Sequence, residues 1–137
     1  MQIQNQNKPY HSNNNSVYSC QYHVIFCPKY RRKVLLDKIS KRLEELILDK
    51  QEDYSYAILD IDVMPDYVHL LIDVSPKIGI WATVNKIKGY TSNILRKEFP
   101  ELKSKLPTLW THSKFISTVG SVTLETVKKY IEEQKNK

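Results

Sequence analysis

Two periodicities divide the chain. Residues 54–64 alternate with period two, as a strand does. Ser55, Ala57, Leu59, Ile61 and Val63 share one side; Tyr54, Tyr56, Ile58, Asp60 and Asp62 share the other. Residues 67–74 alternate again, with Val68, Leu70, Ile72 and Val74 on an apolar face and Tyr67, His69, Leu71 and Asp73 opposite. Pro65 and Asp66 between them are turn formers. A two-residue loop there pairs Val63 with Val68 and Asp62 with His69, and puts both apolar faces on one side.

Residues 16–27, rich in β-branched and aromatic side chains, form a further expected strand ended by Pro28, and residues 109–119 contain another. Helical spacing governs three other segments. Residues 36–50 carry Ile39, Leu43, Leu46 and Ile47. Residues 78–99 bury Trp81, Val84, Ile87, Thr91, Ile94 and Leu95, expose Lys86, Lys88, Arg96 and Lys97, and stop at Pro100. Gly120 and Ser121 break and cap before a last helix from about Val122, with Leu124, Val127 and Ile131 as its stripe. Strand, helix, strand, strand, helix, strand, helix with a central hairpin predicts an α+β fold: an antiparallel-dominated sheet with helices, a ferredoxin-like or RRM-like sandwich.

Residues 1–15 are rich in Asn and Gln and predict a flexible N-terminal arm, leaving 16–137 as one domain. No apolar run approaches the roughly 18 residues that span a bilayer. The polar start lacks the apolar core of a signal peptide, so a cytoplasmic protein without membrane contact is expected. Cys20 and Cys27, seven apart on one strand, face opposite sides and read as reduced thiols. The net charge of +6 suits a polyanion such as nucleic acid. Arg31, Arg32, Lys33, Lys88, Arg96 and Lys97, with Tyr30, Tyr90 and Trp110 among the basic groups, offer cations for phosphates and rings for bases.

Two side chains stand out chemically. His69 lies opposite Asp62, which orients the imidazole, shares a metal with it, or forms an exposed pair of no consequence. Tyr130 stands at the edge of the last helix's stripe, with Gln134 one turn on. A phenol with an ordinary pKa of about 10 needs a nearby cation or base before it attacks anything.

The stretches "VYSCQYHVIFCPKYRRKVL", "MPDYVHLLIDV", "KGYTSNILRKEFP", "KLPTLWTHSKFISTVG" and "LETVKKYIEEQ" run in order from residue 16 nearly to the end. Together they resemble the insertion-sequence-200-like single-tyrosine DNA transposases. The resemblance implies cleavage and rejoining of single-stranded DNA at element ends, with hairpins as recognition marks. It implies that a tyrosine, here Tyr130, becomes linked to the 5′ phosphate. It implies Mg²⁺ or Mn²⁺ held by two histidines flanking an apolar residue and by a glutamine, here His69 and Gln134, and a homodimer in which one subunit's tyrosine helix can serve the other.

The chain departs from that pattern at Tyr67, where the first histidine belongs. Three explanations compete. Asp62 or a water takes the vacant position, since hard cations accept oxygen. Alternatively the chain is a weakened or inactive copy that binds hairpin DNA without cutting it. Or Tyr67 itself ligates, as phenolate.

Overall fold

The computed structural model describes residues 11–12, 17–18, 20–119 and 124–134. Four strands form the main sheet in the order β4-β5-β3-β6, with every neighbour antiparallel: β3 (Gln21–Phe26), β4 (Tyr56–Met64), β5 (Tyr67–Val74) and β6 (Phe115–Thr118). Helices α1 (Asp37–Asp49), α2 (Ile80–Glu98), α3 (Glu101–Lys105) and α4 (Leu124–Glu133) complete the α+β fold expected from the sequence. The expected strand over 16–27 divides into β2 (Val17–Tyr18) and β3. β2 pairs with β1 (His11–Ser12), which lies inside the segment expected as an arm. Residues 1–10 and the anticipated break and cap at Gly120 and Ser121 lie outside the described residues.

The two sides of the sheet differ sharply. On one, Val24 and Phe26 of β3, Tyr56, Ile58 and Ile61 of β4, and Val68, Leu70 and Ile72 of β5 are buried. They meet Leu43, Leu46 and Ile47 of α1 and Val84, Ile87 and Leu95 of α2 in one core. Burying apolar surface at roughly 25 cal/mol per Å² makes this layer the main source of stability. The other side carries His23, Ile25, His69, Leu71, Asp60 and Asp62, because alternate residues face opposite ways.

The hairpin register follows the two-residue loop, with Val63 opposite Val68 and Asp62 opposite His69. Strict alternation in β4 does not hold. The pairing shifts between Ile58 and Asp60, so Leu59 is an extra residue. That bulge lets Tyr56, Ile58 and Ile61 all enter the core, where unbroken alternation would have sent Tyr56 and Ile58 to the side of Asp60.

The two tryptophans exchange the roles expected of them. Trp81, assigned to the buried stripe of α2, is 63% exposed, and the Lys114 ammonium sits 3.9 Å from its ring centroid. It occupies the first turn after Gly79, whose φ of +85° turns the chain into the helix before the core-facing stripe begins at Thr83. Trp110, expected among the base-stacking rings, is buried. Its indole N–H donates to Thr91 Oγ1 at 3.1 Å, and its ring meets Phe26 edge-on at 4.7 Å. Both thiols are free, and burial pushes the Cys27 thiol up to about 12. Among the described residues no helix is long and apolar enough to cross a membrane.

Candidate active site

One lateral row of the sheet organises the site. Phe115 of β6 pairs with Ile25 of β3, Ile25 pairs with His69 of β5, and His69 pairs with Asp62 of β4. Directly paired residues point to the same side. His69 therefore looks away from the α1–α2 layer, on the face that carries Phe115.

Helix α4 lies on that face. The Tyr130 ring packs against Phe115 with centroids 5.2 Å apart. Ser113 Oγ donates to Gln134 Oε1 at 2.7 Å, and Gln134 is buried. The Ser113 loop is itself held beside β3, where Thr111 N–H donates to the Cys27 carbonyl at 3.0 Å and Lys29 N–H to the Leu109 carbonyl at 2.8 Å.

Arg31 ties the end of α4 to the hairpin. Tyr30 and Arg31 adopt left-handed backbone, with φ of 59° and 50°, in the short 3₁₀ turn Lys29–Arg31. The Arg31 guanidinium donates from Nε to Asp66 Oδ2 at 2.7 Å and from Nη1 to the Ile131 carbonyl at 3.0 Å. Glu132 Oε1 stands 3.6 Å from the same Nη1. A last-turn helix carbonyl is a natural acceptor for a cation.

The Tyr130 hydroxyl is buried and makes no hydrogen bond among the described residues. Burial pushes its pKa up to about 12, and the Ser113 hydroxyl offsets only part of that. The phenol oxygen thus has the Ser113 hydroxyl near it but no hydrogen bond of good geometry among the described residues.

His69 is sandwiched between two groups. Asp62 Oδ2 lies 3.9 Å from its Nδ1, while its Nε2 is 3.1 Å from His23 Nδ1. The two imidazoles are nearly parallel, 9° apart, with centroids at 5.3 Å. Burial, and then His23, lower the His69 pKa from its ordinary 6.5, against the opposing pull of Asp62 and Asp60. A neutral imidazole with its Nδ1 side toward a carboxylate is the form that offers Nε2 as a donor. Asp62 thus stands on the side of the ring away from that nitrogen.

Tyr67 is partly buried on the face of His69. Burial raises its pKa, Asp66 and Asp62 raise it further, and Arg31 opposes them. These surroundings disfavour a phenolate. Among the described residues no three His, Cys, Asp or Glu side chains gather round one point. The donors that suit a divalent ion are accordingly the neutral His69, the Gln134 carbonyl and the unpartnered Tyr130 oxygen, with water and phosphate as complements.

The basic residues divide. Arg32, Lys33 and Lys97 are exposed. Arg96 Nη1 donates to the Pro107 carbonyl at 3.2 Å. Arg31 is committed to Asp66 and α4. Lys88, expected on the exposed side of α2, turns inward instead. Its Nζ donates to the Thr111 carbonyl at 2.7 Å, with the His112 and Ser113 carbonyls at 3.5 Å. It flanks the buried stripe between Val84 and Thr91, and the loop carbonyls supply the acceptors a buried ammonium requires.

Sequence reasoning overlooked His23. Its position two before Ile25 puts it on the same side of β3, but its closeness to His69 depends on β3 lying next to β5, which the sequence does not state.

The family model for IS200-like transposases matches residues 16–134. The chain is 36% identical over 123 residues to the ISDra2 transposase TnpA of Deinococcus radiodurans, covering 88% of each protein. It is 28% identical over 119 residues to the transposase for insertion sequence element IS200 of Salmonella typhimurium, covering 85% of this chain and 78% of that one. A crystal structure of a Deinococcus radiodurans transposase superposes with a TM-score of 0.84 at 32% identity, over 93% of this chain and 99% of the other. A REP-associated tyrosine transposase bound to a REP hairpin shares the fold, with a TM-score of 0.56 at 14% identity, over 89% of this chain and 69% of that one.

Proposed function

This chain belongs to the IS200-like transposase family, and from that premise we propose that it cuts and rejoins single-stranded DNA at element ends through a phosphotyrosine at Tyr130. The observation that carries the reading is the packing of Tyr130 on Phe115, in the same sheet row as His69. It supports a nucleophile and a histidine acting on one face of the sheet.

In the proposed step the Tyr130 oxygen attacks the scissile phosphorus. The phenol proton leaves, the bond to the 3′ oxygen breaks, and that oxygen takes up a proton as a free 3′ hydroxyl. The 5′ phosphate stays on Tyr130, so the ester energy is kept and a 3′ hydroxyl reverses the step without a nucleotide cofactor. Mg²⁺ or Mn²⁺, when bound, neutralises charge on the phosphate in the transition state. His69 and Gln134 would hold it, and Asp62 would orient the His69 ring. The Arg31 contact with the Ile131 carbonyl steadies the helix that carries the phenol.

The DNA proposed is a hairpin-bearing single strand, by analogy with the related fold that carries a REP hairpin. Exposed Arg32, Lys33 and Lys97 are available for its phosphates. The assembly proposed is a homodimer. Helix α4 packs on Phe115, Ser113 and Arg31 of its own chain.

Incubation with hairpin-bearing single-stranded DNA and Mn²⁺, read on a denaturing gel, tests the reading. A covalent adduct that vanishes in Tyr130→Phe is expected, and no adduct across a library of end sequences overturns it. Tyr67 favours a second reading, a weakened copy that binds hairpins without cutting them. In that case Tyr67→His gains an adduct that the unaltered chain fails to make.

A further inference from the structure

We propose that His23 supplies the second imidazole of the cation site, so that a divalent ion binds between His23 Nδ1 and His69 Nε2 and makes good the histidine that Tyr67 replaces. The proposal rests on the metal-assisted reading above and adds a ligand from a different strand.

Distance comes first. The two ring nitrogens are 3.1 Å apart. Donors about 2.1 Å from one octahedral ion, at right angles to each other, stand about 3 Å apart. The nitrogen spacing that makes a hydrogen bond is thus also that of neighbouring ligands; the rings meet nearly head-on, with centroids 5.3 Å apart and planes 9° apart, so each must turn about its side-chain torsions to aim its lone pair at a common ion.

The sheet fixes that spacing. His23 pairs with Leu71 and His69 with Ile25, so the two histidines are diagonal neighbours on adjacent central strands. Diagonal pairs lie close enough for long side chains to meet. Both strands are hydrogen-bonded on either side, β3 between β5 and β6, and β5 between β3 and β4. Ligands on such strands are held more firmly than ligands on loops.

The protons also balance. With Asp62 beside His69 Nδ1, that nitrogen keeps its hydrogen and Nε2 keeps its lone pair. The proton between the rings then belongs to His23 Nδ1. When the cation enters, this proton moves to His23 Nε2, and both facing nitrogens present lone pairs. The step is a change of tautomer within His23, and no further reactant is needed.

Two imidazoles with oxygen completing the shell favour Mn²⁺ over Mg²⁺, which prefers an all-oxygen shell. With no third His, Cys, Asp or Glu at the point, the remaining positions are left to Gln134, water and phosphate.

Mn²⁺ titration of the full chain at pH 7.5, followed by the electron paramagnetic resonance of free Mn²⁺, decides the matter. His23→Ala and His69→Ala should each weaken binding by tenfold or more. The double variant Tyr67→His with His23→Ala should bind at least as tightly as the unaltered chain. Wild-type affinity in His23→Ala overturns the proposal, as does the absence of Mn²⁺ binding by the unaltered chain. Ring ¹⁵N spectra of the unaltered chain with Zn²⁺ as a diamagnetic probe give a readout independent of any variant's folding: His69 Nε2 and His23 Nδ1 should both shift as metal-bound nitrogens do, and a shift at His69 alone overturns the proposal. The Tyr130 adduct assay separates the two readings. An adduct with undiminished Mn²⁺ affinity in His23→Ala removes His23 and leaves the transposase chemistry; two-histidine binding with no adduct removes that chemistry and leaves the site.

Discussion

Arg31 and Asp66 form a 2.7 Å ion pair whose side chains are 14% and 12% exposed, at the turn that joins β4 and β5. The same guanidinium grips the Ile131 carbonyl, one residue beyond Tyr130. The turn before Tyr67 and the helix after Tyr130 are therefore fastened by one side chain. Truncating it leaves Asp66 in a mostly dry place without its partner. Arg31→Ala should cost about 2–3 kcal/mol, somewhat less than the roughly 3–5 kcal/mol for breaking a fully buried pair, because some solvent remains. Arg31→Lys keeps the charge but not the fork that serves two acceptors at once, and should recover only part of the loss. Urea midpoints measure both. A cost below about 0.5 kcal/mol for Arg31→Ala would mean that the pair is solvent-screened and the latch idle.

The hairpin was legible because its loop has two residues. With Pro65 and Asp66 as the turn, the pairing of Asp62 with His69 follows from counting. The bulge at Leu59 was not legible, since one extra residue changes neither composition nor turn chemistry. Trp81 and Trp110 were misassigned for a different reason. Helical spacing tells which residues share a side but not where the helix first touches the core, and Trp110 lies in a segment whose route is fixed by its bridge to Pro28. His69, Tyr130 and Gln134 could be named from the motifs. His23 required the strand order, which is a tertiary fact.

The two tryptophans provide an optical check on that correction. Trp110 is buried against Phe26, and Trp81 stands in solvent under Lys114. Trp81→Phe should leave a blue-shifted emission that acrylamide barely quenches, and change stability by less than about 0.5 kcal/mol. Trp110→Phe should cost about 1–3 kcal/mol through the lost packing and the lost bond to Thr91. Strong quenching of the Trp110 emission in Trp81→Phe would contradict this placement.

Lys88 carries a pH signature. Burial, and then the neighbouring Lys114, lower its pKa from 10.5 to about 8. Below pH 8 both folded and unfolded chains hold the proton, and the cost of burying the charge is present in full. Between pH 8 and 10.5 the unfolded chain binds more protons, so the fold gains stability as pH rises. The stability of the unaltered chain relative to Lys88→Met should therefore increase from pH 7.5 to pH 9.5, whatever the other lysines contribute to both. Paired urea titrations at the two pH values measure this, and a flat difference would show that the ammonium is adequately solvated by the Thr111 carbonyl.

Tyr130 presents the opposite sign. Its hydroxyl is buried with no hydrogen bond of good geometry among the described residues and only the Ser113 hydroxyl near it, so removing it takes away a desolvation cost that is at most partly compensated. Tyr130→Phe should fold with unchanged or slightly greater stability, within about 1 kcal/mol, while losing all adduct formation. Burial raises the phenol to about 12 from an ordinary 10.0. The protonated phenol's contribution to the fold is complete below pH 10 and lost as pH climbs toward 12, because the unfolded chain sheds its proton first. Stability of the unaltered chain should thus fall relative to Tyr130→Phe above pH 10. The same shift keeps the proposed nucleophile protonated near neutrality, so adduct formation with Mn²⁺ and hairpin DNA should quicken as pH rises from 6.5 to 8.5. A destabilised Tyr130→Phe would reveal a hydrogen bond that holds the phenol in place, and the hydroxyl would then be a structural group before it is a reactive one.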